Sequence, residues 1–264
     1  MASGKIIVVA NQKGGVAKTS TVRNLAYSLA ELGKRVLTVD FDPQANLSII
    51  CGLYDTHELN CTIATLMEKL LDGDNLPPKA DYVQKVGKVD LIPSSSQLSV
   101  VEANLLFERG SDYILSDLLN SLRDDYDFII VDTNPSLGTL TVNALTAADS
   151  VIITADPQIC AVTGLQELTK TILKIRRRLN PNLSFGGILL TMCEKRTRLY
   201  KKISNEIAEA YQSGMKIYAT AIPRSIKVGD ANDNGLSVME YDNKNPAAYA
   251  YMDFAKEVLD CVGA

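Results

Sequence analysis

An apolar run at positions 5–10 passes directly into Asn11-Gln12-Lys13-Gly14-Gly15-Val16-Ala17-Lys18-Thr19-Ser20, and helix-forming sequence follows at once. Strand, glycine-rich turn and helix in that order leave few folds open. Glycines let successive backbone N–H groups curl inward, and the amino terminus of the helix adds partial positive charge, so the turn is built to hold an anion. Lys18 can then reach the β- and γ-phosphates of a nucleotide, and the Thr19 hydroxyl is placed to ligate Mg²⁺. The standard P-loop places glycine at the two positions held here by Gln12 and Ala17, so the match is to a variant of it. Two lysines beside these glycines would be idle charge in a turn that merely had to be tight.

The rest of the chain supplies the frame such a turn needs. Apolar, β-rich runs recur at 5–10, 35–39, 89–92, 128–131, 150–154, 187–191 and 216–222. Most read as strands buried on both faces, as parallel strands are. Helical patterns at 19–32, 111–123, 137–148, 164–179, 199–213 and 247–262 lie between them. Alternation of this kind predicts an α/β fold, a mostly parallel twisted sheet with helices on both faces, whose ligands sit beyond the carboxyl ends of the strands. In 264 residues, of which 46% are hydrophobic, no Gly/Ser/Pro-rich linker or repeat divides the chain, and a single domain over 1–264 is expected. The polar stretch 72–88, with Pro77-Pro78, reads as a surface excursion.

Two acidic motifs fall at predicted strand ends. Asp40-Phe41-Asp42-Pro43-Gln44-Ala45-Asn46 puts two carboxylates on one strand face, since residues two apart share a face. Phe128-Ile129-Ile130-Val131-Asp132 is a Walker B pattern, a buried strand delivering Asp132 to a metal. Phosphoryl transfer needs mainly positioning and charge neutralisation, so one carboxylate near the terminal phosphate suffices for slow turnover.

Taken in chain order, these segments resemble the ParA/MinD superfamily of deviant P-loop (SIMIBI-like) NTPases, and its ParA/Soj partition ATPases in particular. Residues 13–20 are similar to the deviant Walker A motif KGGxGKT[ST]. Residues 40–46 are similar to DxDPQxN, and Asp132-Thr133-Asn134-Pro135-Ser136-Leu137-Gly138 to DTPPSLG, with Asn134 in place of a proline. Residues 190–198 are similar to LTxxDxRT, Ile222-Pro223-Arg224 with Asp230-Ala231 to IPR…EA, and 241–258 to the closing helix. The resemblance implies an ATPase that binds ATP and Mg²⁺ through Lys13, Gly14, Gly15, Val16, Ala17, Lys18, Thr19 and Ser20, with Pro223 against the base. It implies Lys13, Lys18 and Asp42 as catalytic residues, Asp42 positioning the hydrolytic water. Thr19, Asp40 and Asp132 serve the metal, Asp40 through water. Lys13 would cross a two-fold interface, giving a homodimer with ATP sandwiched inside.

Charge is unevenly spread. Ten bases and one acid, Glu194, lie between Lys170 and Lys202, giving that span +9 in a chain of net −4. Clustered bases are the footprint of nucleic-acid binding through phosphates. ParA resemblance adds non-specific DNA binding in the ATP state, through Lys195, Arg196, Arg198, Lys201, Lys202, Arg224 and Lys227, and a ParB-like partner that triggers hydrolysis. Arg176-Arg177-Arg178 at a helix end complement the helix dipole as well. A cytoplasmic, nucleoid-associated protein without membrane contact is expected. A MinD-like membrane switch would need a basic amphipathic carboxyl-terminal helix, whereas 256–264 carries one base and two acids. An iron–sulfur reductase would need paired cysteines, and Cys51, Cys61, Cys160, Cys193 and Cys261 include no CxxC. The single histidine, His57, sits in a polar loop. A regulator that binds ATP with little hydrolysis stays open, because a methyl group at Ala17 is harmless at negative φ and costly at positive φ.

Overall fold

The computed structural model describes residues 4–262 apart from 57, 160, 212 and 213; His57 and Cys160 thus lie outside the described residues. In chain order the elements are β1 (Lys5–Ala10), α1 (Lys18–Glu31), β2 (Val36–Phe41), α2 (Asn46–Ile50), α3 (Ile63–Leu71), β3 (Gln84–Val86), β4 (Val89–Ile92) and α4 (Leu98–Leu105). There follow α5 (Ile114–Asn120), β5 (Phe128–Thr133), α6 (Thr139–Ala147), β6 (Ser150–Ala155), α7 (Ala161–Arg178) and β7 (Ser184–Cys193). The last elements are α8 (Arg198–Tyr211), β8 (Ile217–Pro223), α9 (Ile226–Asp233), α10 (Val238–Tyr241) and α11 (Pro246–Val262).

The strands form one eight-stranded sheet in the order β3-β4-β2-β5-β1-β6-β7-β8, parallel throughout except for β3. Alternate side chains of β1 enter different layers. Ile6, Val8 and Ala10 join Phe41, Leu66, Leu118 and Leu168 on one face, while Ile7 and Val9 join Leu25, Leu29, Tyr251 and Phe254 on the other. Parallel strands with helices on both faces must read as unbroken apolar runs, and β1 and β5 do. β3 pairs antiparallel with β4 around Gly87, whose φ of 59° fits the tight reversal. The stretch 72–88 is therefore not merely an excursion, because it carries an edge strand of three residues, too short to show a period.

The opposite edge, β8, is held by α11. Glu257 accepts hydrogen bonds from the N–H groups of Ala219 and Thr220, at 2.9 and 2.7 Å, and Tyr218 meets Phe254 edge to face. The helix expected at 111–123 is interrupted, with tight turns at Ser111–Tyr113 and Arg123–Asp125 flanking α5.

A part-buried ion pair fixes α1 to the carboxyl-terminal third. Arg23, 2% exposed, donates from Nη2 to Gly235 O at 3.1 Å and to Glu240 Oε2 at 3.3 Å. Glu240 also closes a capping box with Ser237 at the start of α10. Asn24 Oδ1 accepts from Val238 N at 2.8 Å beside it. Removing one partner of a buried pair strands the other charge. Arg23 keeps its bond to Gly235 O and Glu240 is partly exposed, so Glu240→Ala is expected to lower stability by about 1–3 kcal/mol, read as a drop in the urea midpoint with little change in slope.

Candidate functional site

Parallel strands deliver their carboxyl ends to one rim, and the loops after β1, β2, β5, β7 and β8 meet there. The turn between β1 and α1 encloses, with residues from the loops after β2 and β5, an open depression of roughly 360 Å³. Gly14, Gly15, Ala17, Lys18, Thr19 and Ser20 line one side, and Asp42, Gln44, Thr133 and Pro135 the other. Both glycines have open space where a Cβ would stand, and Gly15 has φ of 70°. Val16 is buried, and its carbonyl accepts from Thr191 Oγ1 at 3.0 Å, which ties the turn to β7.

The charges in this depression are buried. Lys18 is 7% exposed, and its ammonium donates to the Lys13 carbonyl at 3.4 Å. Burial lowers its pKa, while Asp132 and Asp42 pull it back up. Asp132, the penultimate residue of β5, lies in register with Asp40 on β2 and Val9 on β1. It is fully buried, and neither carboxylate oxygen has a hydrogen-bond partner. Burial and the neighbouring Asp40 raise its pKa well above the carboxylate range, with Thr19 and Lys18 opposing. An unpartnered buried carboxylate beside a hydroxyl is a hard-oxygen donor set, and it fits Mg²⁺, which takes one or two carboxylates and shares the remaining positions with water and phosphate. Thr19 and Asp132 could hold such an ion.

Asp40 also has a structural role. Its Oδ2 accepts from both Ser48 N (2.8 Å) and Ser48 Oγ (2.7 Å), and its Oδ1 from Asp42 N (3.4 Å). Burial pushes its pKa up to about 7. Its Oδ2 thus holds α2 against β2, while Oδ1 accepts only the long bond from Asp42 N. Ser48 Oγ in turn accepts from Ser94 N at 3.0 Å, and Ser94 Oγ donates to the Asp42 carbonyl at 2.8 Å. Asp42, 6% exposed, is pinned further by Gln44 N on its Oδ1 at 2.9 Å. The serines at 94 and 48 were not singled out from sequence, where nothing distinguishes them from other loop serines.

Lys13 turns outward. Its N–H donates to Asn11 Oδ1 at 2.8 Å, and its ammonium reaches Gln158 Oε1 at 3.0 Å on the loop after β6. Ala17 has φ of 59° and ψ of 31°, the left-handed region that disfavours a side chain.

A second cavity of roughly 300 Å³ adjoins the first and shares Ala17, Ser20 and Asn232 with it. Pro223, Ile222, Met192, Val228 and Tyr251 give it apolar walls. A flat heterocycle would fit there, with its phosphates lying over the glycine turn. Asn232 donates from Nδ2 to Ser20 Oγ at 3.3 Å, at the waist between the two cavities. Sequence reading passed over Asn232, for which only its place directly after Asp230-Ala231 offered a signal.

The basic residues gather near this rim. Arg224 N–H donates to Cys193 O at 3.2 Å, which brings the loops after β7 and β8 together. Lys195, Arg196, Arg198 and Lys201 are exposed and have no ion pair among the described residues. Arg224 is paired with Glu194 (3.2 Å), Lys227 with Asp230 (3.0 Å) and Lys202 with Glu206 (3.9 Å). On α8, Ile203, Ile207 and Tyr211 face inward at helical spacing, which leaves Lys201 and Lys202 on the outer side. Among the described residues no helix is long and apolar enough to cross a membrane.

The profile of the AAA domain family AAA_31 matches residues 4–185. Sporulation initiation inhibitor protein Soj of Bacillus subtilis (strain 168) is 39% identical over 97% of this chain and 98% of its own. Chromosome partitioning protein ParA of Caulobacter vibrioides (strain NA1000 / CB15N) is 36% identical over 97% of this chain and 94% of its own. Among solved structures, cobyrinic acid a,c-diamide synthase from Mycobacterium smegmatis, with bound ATP analog and magnesium, superposes with a TM-score of 0.84 at 32% identity. It covers 99% of this chain, which covers 96% of it.

Two expectations follow from the geometry. Ala17→Gly releases left-handed strain at some entropic cost, for a net gain of about 0.5–1 kcal/mol in urea unfolding. Asp132 has a folded pKa above its unfolded value, so the stability linked to its protonation is complete below the unfolded pKa and is lost as pH rises towards the folded one. In EDTA, the stability gained by Asp132→Asn over wild type should therefore widen as pH rises above the ordinary carboxylate range.

Proposed function

The chain belongs to the ParA/Soj family of AAA-domain partition ATPases, and from that premise we propose that it is a nucleotide-switched ATPase that moves DNA. One observation carries this reading: the fully buried, unpartnered Asp132 carboxylate beside Lys18 and Thr19, at the mouth of a glycine turn. A carboxylate left this way is costly unless a cation and its ligands complete the site.

The base lies in the apolar cavity against Pro223, and the phosphates lie over Gly14, Gly15, Val16, Ala17, Lys18, Thr19 and Ser20. Lys18 neutralises the β- and γ-phosphate oxygens. Thr19 and Asp132 hold the magnesium ion, which when bound neutralises charge on the polyphosphate. Asp42, set by Ser94 and Gln44, orients the attacking water. Lys13, already directed outward, reaches the nucleotide of a second protomer, so that dimerisation reads the terminal phosphate. Asp40 contributes by holding the loop that carries Asp42.

DNA binding in the ATP state uses Lys195, Arg196, Arg198 and Lys201, which have no acid to leave. Lys202, Arg224 and Lys227 add to it by exchanging exposed acidic partners for phosphates, a small loss because such pairs contribute little. A ParB-like partner on the cargo triggers hydrolysis and release.

The test is DNA retention and light scattering with ATP, ADP and no nucleotide. Wild type should dimerise and hold DNA only with ATP. Asp42→Ala should stay dimeric and DNA-bound without releasing phosphate, and Lys13→Ala should remain monomeric. Lys201→Ala should lower the salt slope of binding by about 1. Equal DNA retention in all three nucleotide states would falsify the partition reading. Phosphate release that stays at background with DNA and ATP points to the binding-only regulator instead.

A further inference from the structure

We infer that the outer groove between α3 and α4 docks a basic amphipathic helix of a partner protein, and that Glu102 passes the event to the loop after β5. Packing leaves the groove unfinished. α4 buries Leu98, Val101 and Leu105, yet Val100 is 58% exposed, Leu106 68% and Phe107 85%. Phe107 lines a cavity of roughly 360 Å³ with Leu71, Asn104, Glu68, Asp72 and Glu108. An exposed aromatic beside aliphatic side chains, rimmed with charge, marks an interaction surface.

The rim identifies the occupant. Segments 63–76 and 98–113 carry six acids, Glu68, Asp72, Asp74, Glu102, Glu108 and Asp112, against two bases, Lys69 and Arg109. None of the six has an ion pair among the described residues. A helix laying an apolar stripe on Leu71 and Phe107, with lysines or arginines along its flanks, matches both features. DNA and acidic membranes are repelled by the same charge.

The inner side of α4 touches the nucleotide rim. A Cβ at Gly138 would stand 2.6 Å from Glu102 Oε1, so the carboxylate lies directly on this glycine. Gly138 closes the loop 134–138, which begins beside Thr133 and Pro135 of the phosphate depression. Displacing α4 carries Glu102 with it and so alters its contact with that loop. The effect on turnover rests on the ATPase reading; the docking surface does not.

The test uses a fluorescein-labelled helical peptide of leucine and lysine at amphipathic spacing, with a leucine–glutamate peptide as control. Anisotropy should report binding of the basic peptide to wild type, weakened at least tenfold in Phe107→Ser and in Asp72→Lys/Glu108→Lys. These exposed positions should leave thermal unfolding unchanged. Glu102→Gln should bind the peptide as wild type does, while peptide-dependent phosphate release is lost. Unchanged binding in both groove variants, no binding to wild type, or equal uptake of the acidic peptide overturns the docking surface. So does a wild-type dimer that Phe107→Ser converts to monomer without affecting the peptide, since the groove then serves a second copy. Binding that depends on Phe107 with no phosphate release in any protein leaves the docking surface standing and removes the ATPase.

Discussion

Burial of the central strands on both faces governs everything else in this molecule. β1, β2 and β5 send side chains into two separate cores, and neither core admits an unsatisfied polar group without a large desolvation cost. Chemistry is pushed to the strand ends. Asp40 and Asp132, adjacent across β2 and β5, lie one residue from the ends of their strands, and both are fully buried. Two carboxylates so placed cannot share one solution. Asp40 is satisfied from within by Ser48, and Asp132 is left for a ligand from outside.

The rim that receives this charge is held with little freedom. Ala17 and Ala45 begin α1 and α2 in left-handed conformations, and Met192 adopts a third beside the base cavity. Such residues persist when their surroundings over-determine them. Here the surroundings are visible: Thr191 grips the Val16 carbonyl, and the serine chain holds the loop after β2. The price of a reactive edge in the glycine turn is thus distributed over β7, β4 and α2.

Much of this was legible in the sequence. Long apolar runs gave the parallel strands, because burial on both faces leaves no polar alternation, and the glycine turn announced its own ends. The motifs at 40–46 and 128–132 lie at the carboxyl ends of β2 and β5, as their apolar lead-in implies. What stayed hidden has physical reasons. β3 spans three residues, α2 five and α10 four, fewer than two full periods of their patterns. Asp40 and Asp42 look alike in sequence, and only the fold shows that Ser48 claims one of them. The cationic residues were read as one set, yet Glu194 and Asp230 separate Arg224 and Lys227 from those without acidic neighbours. Asn232 acquires meaning only through a cavity assembled from distant segments.

The clasp of Glu257 on the backbone of β8 reaches beyond local stability. A terminal strand with free N–H groups is a template on which another chain can build a cross-molecule ladder. Here two of those donors already end on a carboxylate, and the far flank is a three-residue strand too short to template anything. With both flanks blunted, oligomers that extend the sheet side by side are disfavoured. A second copy is thereby steered to surfaces other than the sheet edges, the loops at the strand ends among them.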